Sequence, residues 1–141
     1  MKLYFLRHGE RGHGEEQDIL TKKGIEQAKK SAEYFKKVKI DKIICGNTNR
    51  AKKTTEQILK VLKCQIEYTS NVNEQNLGVL QGKTASEWRK AVQDSGLNTK
   101  KFRPQGGENV YDAYKRAKIF LEKLKKERKE NILVISHSGF I

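Results

Sequence analysis

Two histidines and two arginines in this sequence lie directly after short apolar segments. Arg7 and His8 follow the first such segment, Arg50 follows the second after a short turn, and His137 follows the last. If these segments are strands of one parallel sheet, their carboxyl ends meet at one edge, where ligands of open α/β sheets bind. We therefore expect the four side chains to converge on one rim.

These residue types suit phosphoryl transfer. The arginine guanidinium is a planar fork that holds two phosphate oxygens at once. A neutral histidine is an available nucleophile near pH 7, since its ordinary pKa is about 6.5. A second histidine, if protonated, can stabilise charge on the transferred group. Because this reaction depends mainly on positioning and charge stabilisation, the predicted rim has the groups that it requires.

Strands and helices alternate in the predicted secondary structure. Near-continuous apolar runs, typical of strands buried on both faces, lie at 3–6, 42–45 and 131–136, with a weaker one at 65–68. Apolar residues recur at helical spacing after the N-cap candidate Thr21, after Asn47 or Thr48, and from Val110 to Leu124, and Thr84 begins a capping box. The pattern predicts an α/β fold, a three-layer α/β/α sandwich around a mainly parallel sheet.

Length and charge limit the possible functions. The 141 residues predict a single domain, 1–141. The net charge of +13 attracts phosphorylated molecules in general, and alone it does not choose between nucleic acid, an anionic membrane and a small ester. The sequence has no signal peptide and no apolar stretch of about 20 residues, so we expect a soluble cytoplasmic protein with no membrane partner.

Six segments, in order, resemble the motifs of the histidine phosphatase superfamily, the phosphoglycerate mutase-like proteins. The RHGE at 7–10 is similar to the RHG signature of this superfamily. One such triplet alone would be weak evidence for the resemblance. The other five segments are LTKKGIEQA at 20–28, NRAKKT at 49–54, NEQNLGVLQG at 73–82, PQGGEN at 104–109 and ISHSG at 135–139. Together they span nearly the whole chain.

The resemblance implies a role for each catalytic candidate. His8 would attack phosphorus and become phosphorylated, with its other ring nitrogen donating to a backbone carbonyl. Arg7, Arg50 and His137 would hold the non-bridging oxygens. Glu74 would protonate the leaving oxygen and then deprotonate the attacking water, which suits a partly buried carboxylate. The implied activity is that of a metal-independent phosphatase without a cofactor.

Further residues near the two histidines are candidates for substrate contacts. Besides Arg7 and Arg50, these are Glu10, His13, Ser138 and Gly139. An alternative places His13 in a metal site with Glu10 and Glu15, but an exposed loop histidine is the simpler interpretation, and we expect no metal.

The sequence departs from the family pattern at several positions. Arg11 replaces a small hydroxyl residue, residues 46–48 replace Ser-Pro-Leu, and Ser138 replaces a glycine. These changes concern substrate preference more than the core chemistry. Family members continue through another helix and strand, whereas this sequence stops at Ile141. A shortened natural form and a C-terminally truncated product are both open.

Three functions follow from this reasoning. The favoured one is a phosphomonoesterase that acts on a small phosphorylated metabolite. The first alternative is a phosphoglycerate mutase-like phosphotransferase, which would require a bisphosphate primer. The second is a non-catalytic, basic module that binds nucleic acid, although the sequence lacks the interleaved aromatic and basic residues typical of that partner. A homo-oligomer is also open, and the substrate itself is not identified.

Overall fold

The computed structural model describes residues 1–141 apart from the side chain of Glu15. Strands and helices alternate as predicted, with β1 at Lys2–Arg7, α1 at Lys22–Phe35, β2 at Lys42–Cys45, α2 at Asn49–Leu59, β3 at Gln65–Tyr68, α3 at Ala85–Asp94, α4 at Val110–Leu124 and β4 at Asn131–Ser136. Short 3-10 helices lie at Gly14–Glu16, Ser70–Val72 and Gly78–Leu80. Within the described chain, no helix is both long and apolar enough to cross a membrane.

The strands form one parallel sheet in the order β1-β4-β2-β3. The two central strands have the most apolar sequences, KIIC in β2 and NILVIS in β4, and all of their residues except Asn131 are buried. Burial on both faces explains why these strands show no polar alternation. The parallel arrangement places the carboxyl ends of β1, β4 and β2 side by side.

The two faces of the sheet are covered by different helices. The chain runs outward from β1 to β2 and β3 and then returns to β4, and right-handed crossovers in opposite directions place their helices on opposite faces. Phe35 of α1 and Ile58 of α2 therefore pack with Leu133 on one face. Phe120 of α4 packs with Ile132 on the other. The predicted three-layer α/β/α sandwich is confirmed.

Hydroxyl side chains begin three of the helices. Thr21 Oγ1 accepts a hydrogen bond from Gly24 N at 3.0 Å, and Thr48, rather than Asn47, caps α2. Thr84 forms the predicted capping box with Glu87. Each cap satisfies an amide that has no partner within its own helix.

The apolar stripe predicted along α4 is only partly buried. Phe120 and Leu124 are buried near the end of the helix, whereas Val110, Tyr114 and Leu121 are exposed. The helix thus packs against the sheet mainly through its C-terminal half. Helical spacing therefore identified the helix correctly but not the face that contacts the core.

Replacing Ile43 with alanine tests the core. Its side chain is fully buried beneath α1 and α2, so Ile43→Ala should lower the free energy of unfolding by about 2–5 kcal/mol through lost burial and a cavity. The matched control is Ile119→Ala on α4, where the side chain is 58% exposed and the change should stay within about 0.5 kcal/mol. Urea unfolding followed by circular dichroism measures both, and similar losses would contradict the described core.

Candidate active site

His8 lies immediately beyond the carboxyl end of β1. Its backbone N–H donates to the Ser136 carbonyl of β4 at 3.0 Å, and its side chain is buried. The ring nitrogen Nδ1 is 2.7 Å from the Gly9 carbonyl oxygen. A carbonyl can only accept, so Nδ1 carries the proton and Nε2 keeps its lone pair. This matches the orientation that the sequence implies for a nucleophile.

The loop after His8 is held between two helices. Gly9 N donates to Thr54 Oγ1 of α2 at 3.0 Å. On the other side, a Cβ on Gly9 would overlap the backbone of Gly24 in α1. The glycines of two separate motifs are thus required by one close backbone contact. Together with the hydrogen bond to Thr54, this contact fixes the position of His8 relative to α1 and α2.

Arg50, the second residue of α2, joins the two histidines. Its Nε donates to His8 Nε2 at 3.2 Å, and its terminal NH2 group lies 3.2 Å from His137 Nδ1. Its other terminal nitrogen, NH1, forms an ion pair with Asp18 at 2.8 Å. Asp18 also accepts from the backbone N–H groups of Asn49 and Arg50 at the start of α2. The guanidinium is therefore held between two imidazoles by a carboxylate.

His137 follows β4 and is fully buried. Because Arg50 donates to Nδ1, the proton of a neutral ring lies on Nε2, which is 3.4 Å from Thr48 Oγ1. Burial lowers the pKa of His137 to about 3, and the Arg50 charge adds to the shift. His137 is thus a neutral hydrogen-bond donor near pH 7, and not the cation considered from the sequence.

The His8 imidazole is also neutral near pH 7. Burial lowers its pKa below the ordinary value of 6.5. The hydrogen bond to Gly9 opposes that shift, and the charges of Arg50, Arg7 and Arg11 reinforce it. A neutral imidazole with an unprotonated Nε2 is the form that can attack phosphorus.

Glu74 faces the same cavity as Arg50. Its carboxylate accepts hydrogen bonds from Gly139 N at 3.2 Å and Gln75 N at 3.3 Å. A Cβ on Gly139 would overlap this carboxylate. The absence of a side chain at Gly139 therefore lets Glu74 approach the loop that carries His137.

Arg116 of α4 organises the segment that carries Glu74. Its guanidinium contacts four consecutive or nearly consecutive carbonyl oxygens, those of Ser70, Asn71, Asn73 and Glu74, at 2.8–3.4 Å. It also forms an ion pair with Glu108 at 2.9 Å. Its donors are thus fully used in shaping the backbone next to Glu74.

The other predicted residues lie in different places. Arg7, Glu10 and His13 line a cavity beside His8. The Glu10 carboxylate also binds Lys23 at 2.9 Å and Thr21 at 3.0 Å, so it supports the start of α1. Ser138 is exposed.

The metal alternative included Glu15, whose side chain lies outside the described residues. The described His, Cys, Asp and Glu side chains form no group of three or more that could hold a metal ion.

Sequence reasoning did not assign roles to Asp18, Thr54 or Arg116. Thr54 lay within a quoted motif, so a signal for it was present. Asp18 lies two residues before another motif, but nothing in its neighbourhood indicated a contact with Arg50. Arg116 carried no local signal, since its partners lie as far as 46 residues away.

Comparison with known proteins gives a family match and several relatives. The model for the histidine phosphatase superfamily (branch 1) matches residues 3–141. The fructose-2,6-bisphosphatase TIGAR of Bos taurus is 31% identical over 132 residues, which cover 85% of this chain and 49% of TIGAR. A Salmonella choleraesuis protein named "Probable phosphoglycerate mutase GpmB" is 30% identical over 79% of this chain and 57% of its own length. The chain thus spans about half the length of these relatives.

Solved structures show the same fold. The alpha-ribazole phosphatase from Shigella flexneri aligns with a TM-score of 0.84 at 25% identity, covering 99% of this chain and 75% of that one. The predicted resemblance of the fold to phosphoglycerate mutase-like proteins is therefore confirmed.

The low pKa of His137 predicts a pH dependence of stability. Its pKa is about 3 in the folded protein and 6.5 in the unfolded chain, so the unfolded chain binds the proton first as the pH falls. This contribution to stability is complete above pH 6.5 and is lost between 6.5 and 3, which amounts to about 1.4 kcal/mol from pH 7.5 to 5.5. Urea unfolding of wild type and His137→Gln should show the steeper loss in wild type, and parallel profiles would contradict it.

Proposed function

Because the chain belongs to the histidine phosphatase superfamily, we propose that it hydrolyses phosphate monoesters through a phosphohistidine on His8, without a metal ion. The observation that carries the proposal is the unprotonated Nε2 of His8, which lies against Arg50 while Nδ1 is bound to Gly9. This is a nucleophile oriented by one hydrogen bond and accompanied by a phosphate-binding cation.

In the first step, His8 Nε2 attacks phosphorus and the bond to the leaving oxygen breaks. Arg50, with Arg7, balances the charge of the phosphoryl oxygens, and the Nε2–H of neutral His137 donates to one of them. The leaving oxygen takes a proton from Glu74. An alcohol departs, and the phosphoryl group stays on His8.

In the second step, water replaces the alcohol. The ionised Glu74 takes a proton from that water, whose oxygen bonds to phosphorus as the bond to His8 Nε2 breaks. Inorganic phosphate leaves, and His8 and Glu74 return to their initial protonation states. Arg50 must give up its hydrogen bond to His8 when phosphate binds, and the ion pair with Asp18 keeps it in the site during that exchange.

The relatives support hydrolysis of small esters. TIGAR is named a fructose-2,6-bisphosphatase, and the Shigella flexneri protein an alpha-ribazole phosphatase. A small phosphorylated metabolite is accordingly the substrate proposed for this chain.

Replacing the nucleophile gives the direct test. His8→Ala should reduce hydrolysis of p-nitrophenyl phosphate in EDTA by at least about a thousandfold, because no other group can form the intermediate. Rapid acid-free quenching of wild type with labelled substrate should trap an acid-labile phosphoprotein that the variant lacks. Circular dichroism serves as the control for folding. Undiminished turnover in the variant, or loss of wild-type turnover in EDTA, would contradict the mechanism.

Leaving-group dependence tests Glu74. Glu74→Gln should slow hydrolysis of an alkyl phosphate by about a hundredfold or more, and that of p-nitrophenyl phosphate far less, because nitrophenolate leaves without a proton. The matched control is Glu33→Gln, an exposed carboxylate on α1, which should change neither rate. Equal slowing of both esters by Glu74→Gln would remove Glu74 as the general acid.

A further inference from the structure

A polar cavity of about 460 Å³ lies beside the proposed phosphate site. Arg50, which contacts His8, and the proposed acid Glu74 both line it. The leaving oxygen must face Glu74, so the alcohol part of the ester occupies this cavity. We call it the leaving-group cavity. Its size lies within the range of small-molecule sites.

The cations of this cavity are already paired. The described lining includes two basic side chains, Arg50 and Arg116. Arg50 is bound to Asp18 and directed at the histidines, and Arg116 is used by Glu108 and backbone carbonyls. Beyond the phosphate site, the wall therefore offers no available positive charge among its described residues.

The acidic side chains of this wall offer nothing to a second anionic group on the substrate. Asp18 and Glu108 are neutralised by their arginines, but Glu74 has no ion-pair partner in the described part of the chain. In the ester complex Glu74 carries the proton that it gives to the leaving oxygen, so a second anionic group on the substrate would lose water there without gaining a compensating cation. Moving an unpaired anion from water into a partly enclosed cavity is unfavourable.

Amide side chains supply both kinds of hydrogen-bonding group. The side-chain oxygens of Gln17 and Asn73 accept hydrogen bonds, from Gln81 and from Asn47 N respectively. The NH2 groups of Gln17 and Asn73 have no partner among the described residues. The NH2 groups of Gln75 and Gln81 donate to the Glu108 carbonyl and to Gln17 respectively. The side-chain oxygens of Gln75 and Gln81 have no partner among the described residues. A hydroxyl group both donates and accepts, and it can pair with either kind.

The lining also lacks a stacking surface. None of the described side chains around the cavity is aromatic. Trp88 packs edge-on against Phe102, with ring centroids 5.3 Å apart, and it is not among the lining residues. A nucleobase would therefore find no ring on which to stack.

We infer that the leaving-group cavity selects a neutral, hydroxyl-rich alcohol, so that the substrate is the monophosphate of a polyol or sugar. Esters that carry a carboxylate or a second phosphate on the alcohol are disfavoured. The inference rests on the proposed phosphatase function and specifies its substrate class.

Two esters with one carbon skeleton test the inference. Glycerol 3-phosphate and 3-phosphoglycerate differ only in a terminal hydroxymethyl or carboxylate group. We expect kcat/KM to be about tenfold or more higher for glycerol 3-phosphate than for 3-phosphoglycerate. Ribose 5-phosphate should be hydrolysed well, and p-nitrophenyl phosphate serves as the common activity control.

Gln81→Lys provides the matched variant. Gln81 lies on the exposed rim of the cavity, and a lysine there would supply the missing cation without touching the nucleophile. The ratio of kcat/KM for 3-phosphoglycerate to that for glycerol 3-phosphate should rise by about fivefold or more in this variant. Gln81→Glu should move the same ratio in the opposite direction.

Each outcome separates the two proposals. A preference for glycerol 3-phosphate that Gln81→Lys reduces supports the inference. Hydrolysis of p-nitrophenyl phosphate together with equal or better use of 3-phosphoglycerate, a bisphosphate or a nucleoside monophosphate overturns the substrate class and leaves the phosphatase function intact. Absence of hydrolysis with every ester overturns the proposed function, and the inference falls with it.

Discussion

The buried guanidinium of Arg50 connects the parts of this site that come from different regions of the chain. It donates to His8 after β1 and to His137 after β4, while Asp18 holds it from the loop before α1. Burial lowers the pKa of Arg50, and the adjacent Asp18 opposes that shift. A charge placed here needs a counter-charge, and Asp18 provides it without using the donors that face the histidines. The neutrality of both imidazoles depends in part on this arginine, because its charge disfavours their protonation.

The second organising group is Arg116, whose role is purely one of positioning. Its contacts convert the irregular segment after β3 into a fixed support for Glu74, and Glu108 keeps its charge paired. The two arginines therefore have different roles in the site. Arg50 faces the two histidines, whereas Arg116 shapes the wall on which Glu74 is placed. These roles explain how a chain of such high positive charge forms a cavity whose two described arginines are both already paired.

The net charge of +13 and the local charge of the cavity act over different distances. Lysines on the outer faces of the helices create a field that attracts phosphorylated molecules from a distance and weakens with salt. The lining of the leaving-group cavity, by contrast, offers mainly amide side chains and paired ions. The general attraction to phosphate that the net charge indicates stays a prediction, and the charge alone does not identify a substrate.

The sequence by itself determined the elements and the central site residues. Apolar runs located the four strands of the described chain, hydroxyl caps located the starts of three helices, and the position of His8, His137 and Arg50 after strands predicted their convergence. These features are local, and the parallel sheet brings strand ends together by geometry alone. Only the tertiary structure decided that Asp18 pairs with Arg50, 32 residues away, that Arg116 reaches Glu74, 42 residues away, and that Glu10 turns toward α1. It also decided the protonation of His137. Such contacts depend on how helices pack across the sheet, and burial depends on the whole fold, so neither leaves a periodic pattern in the sequence.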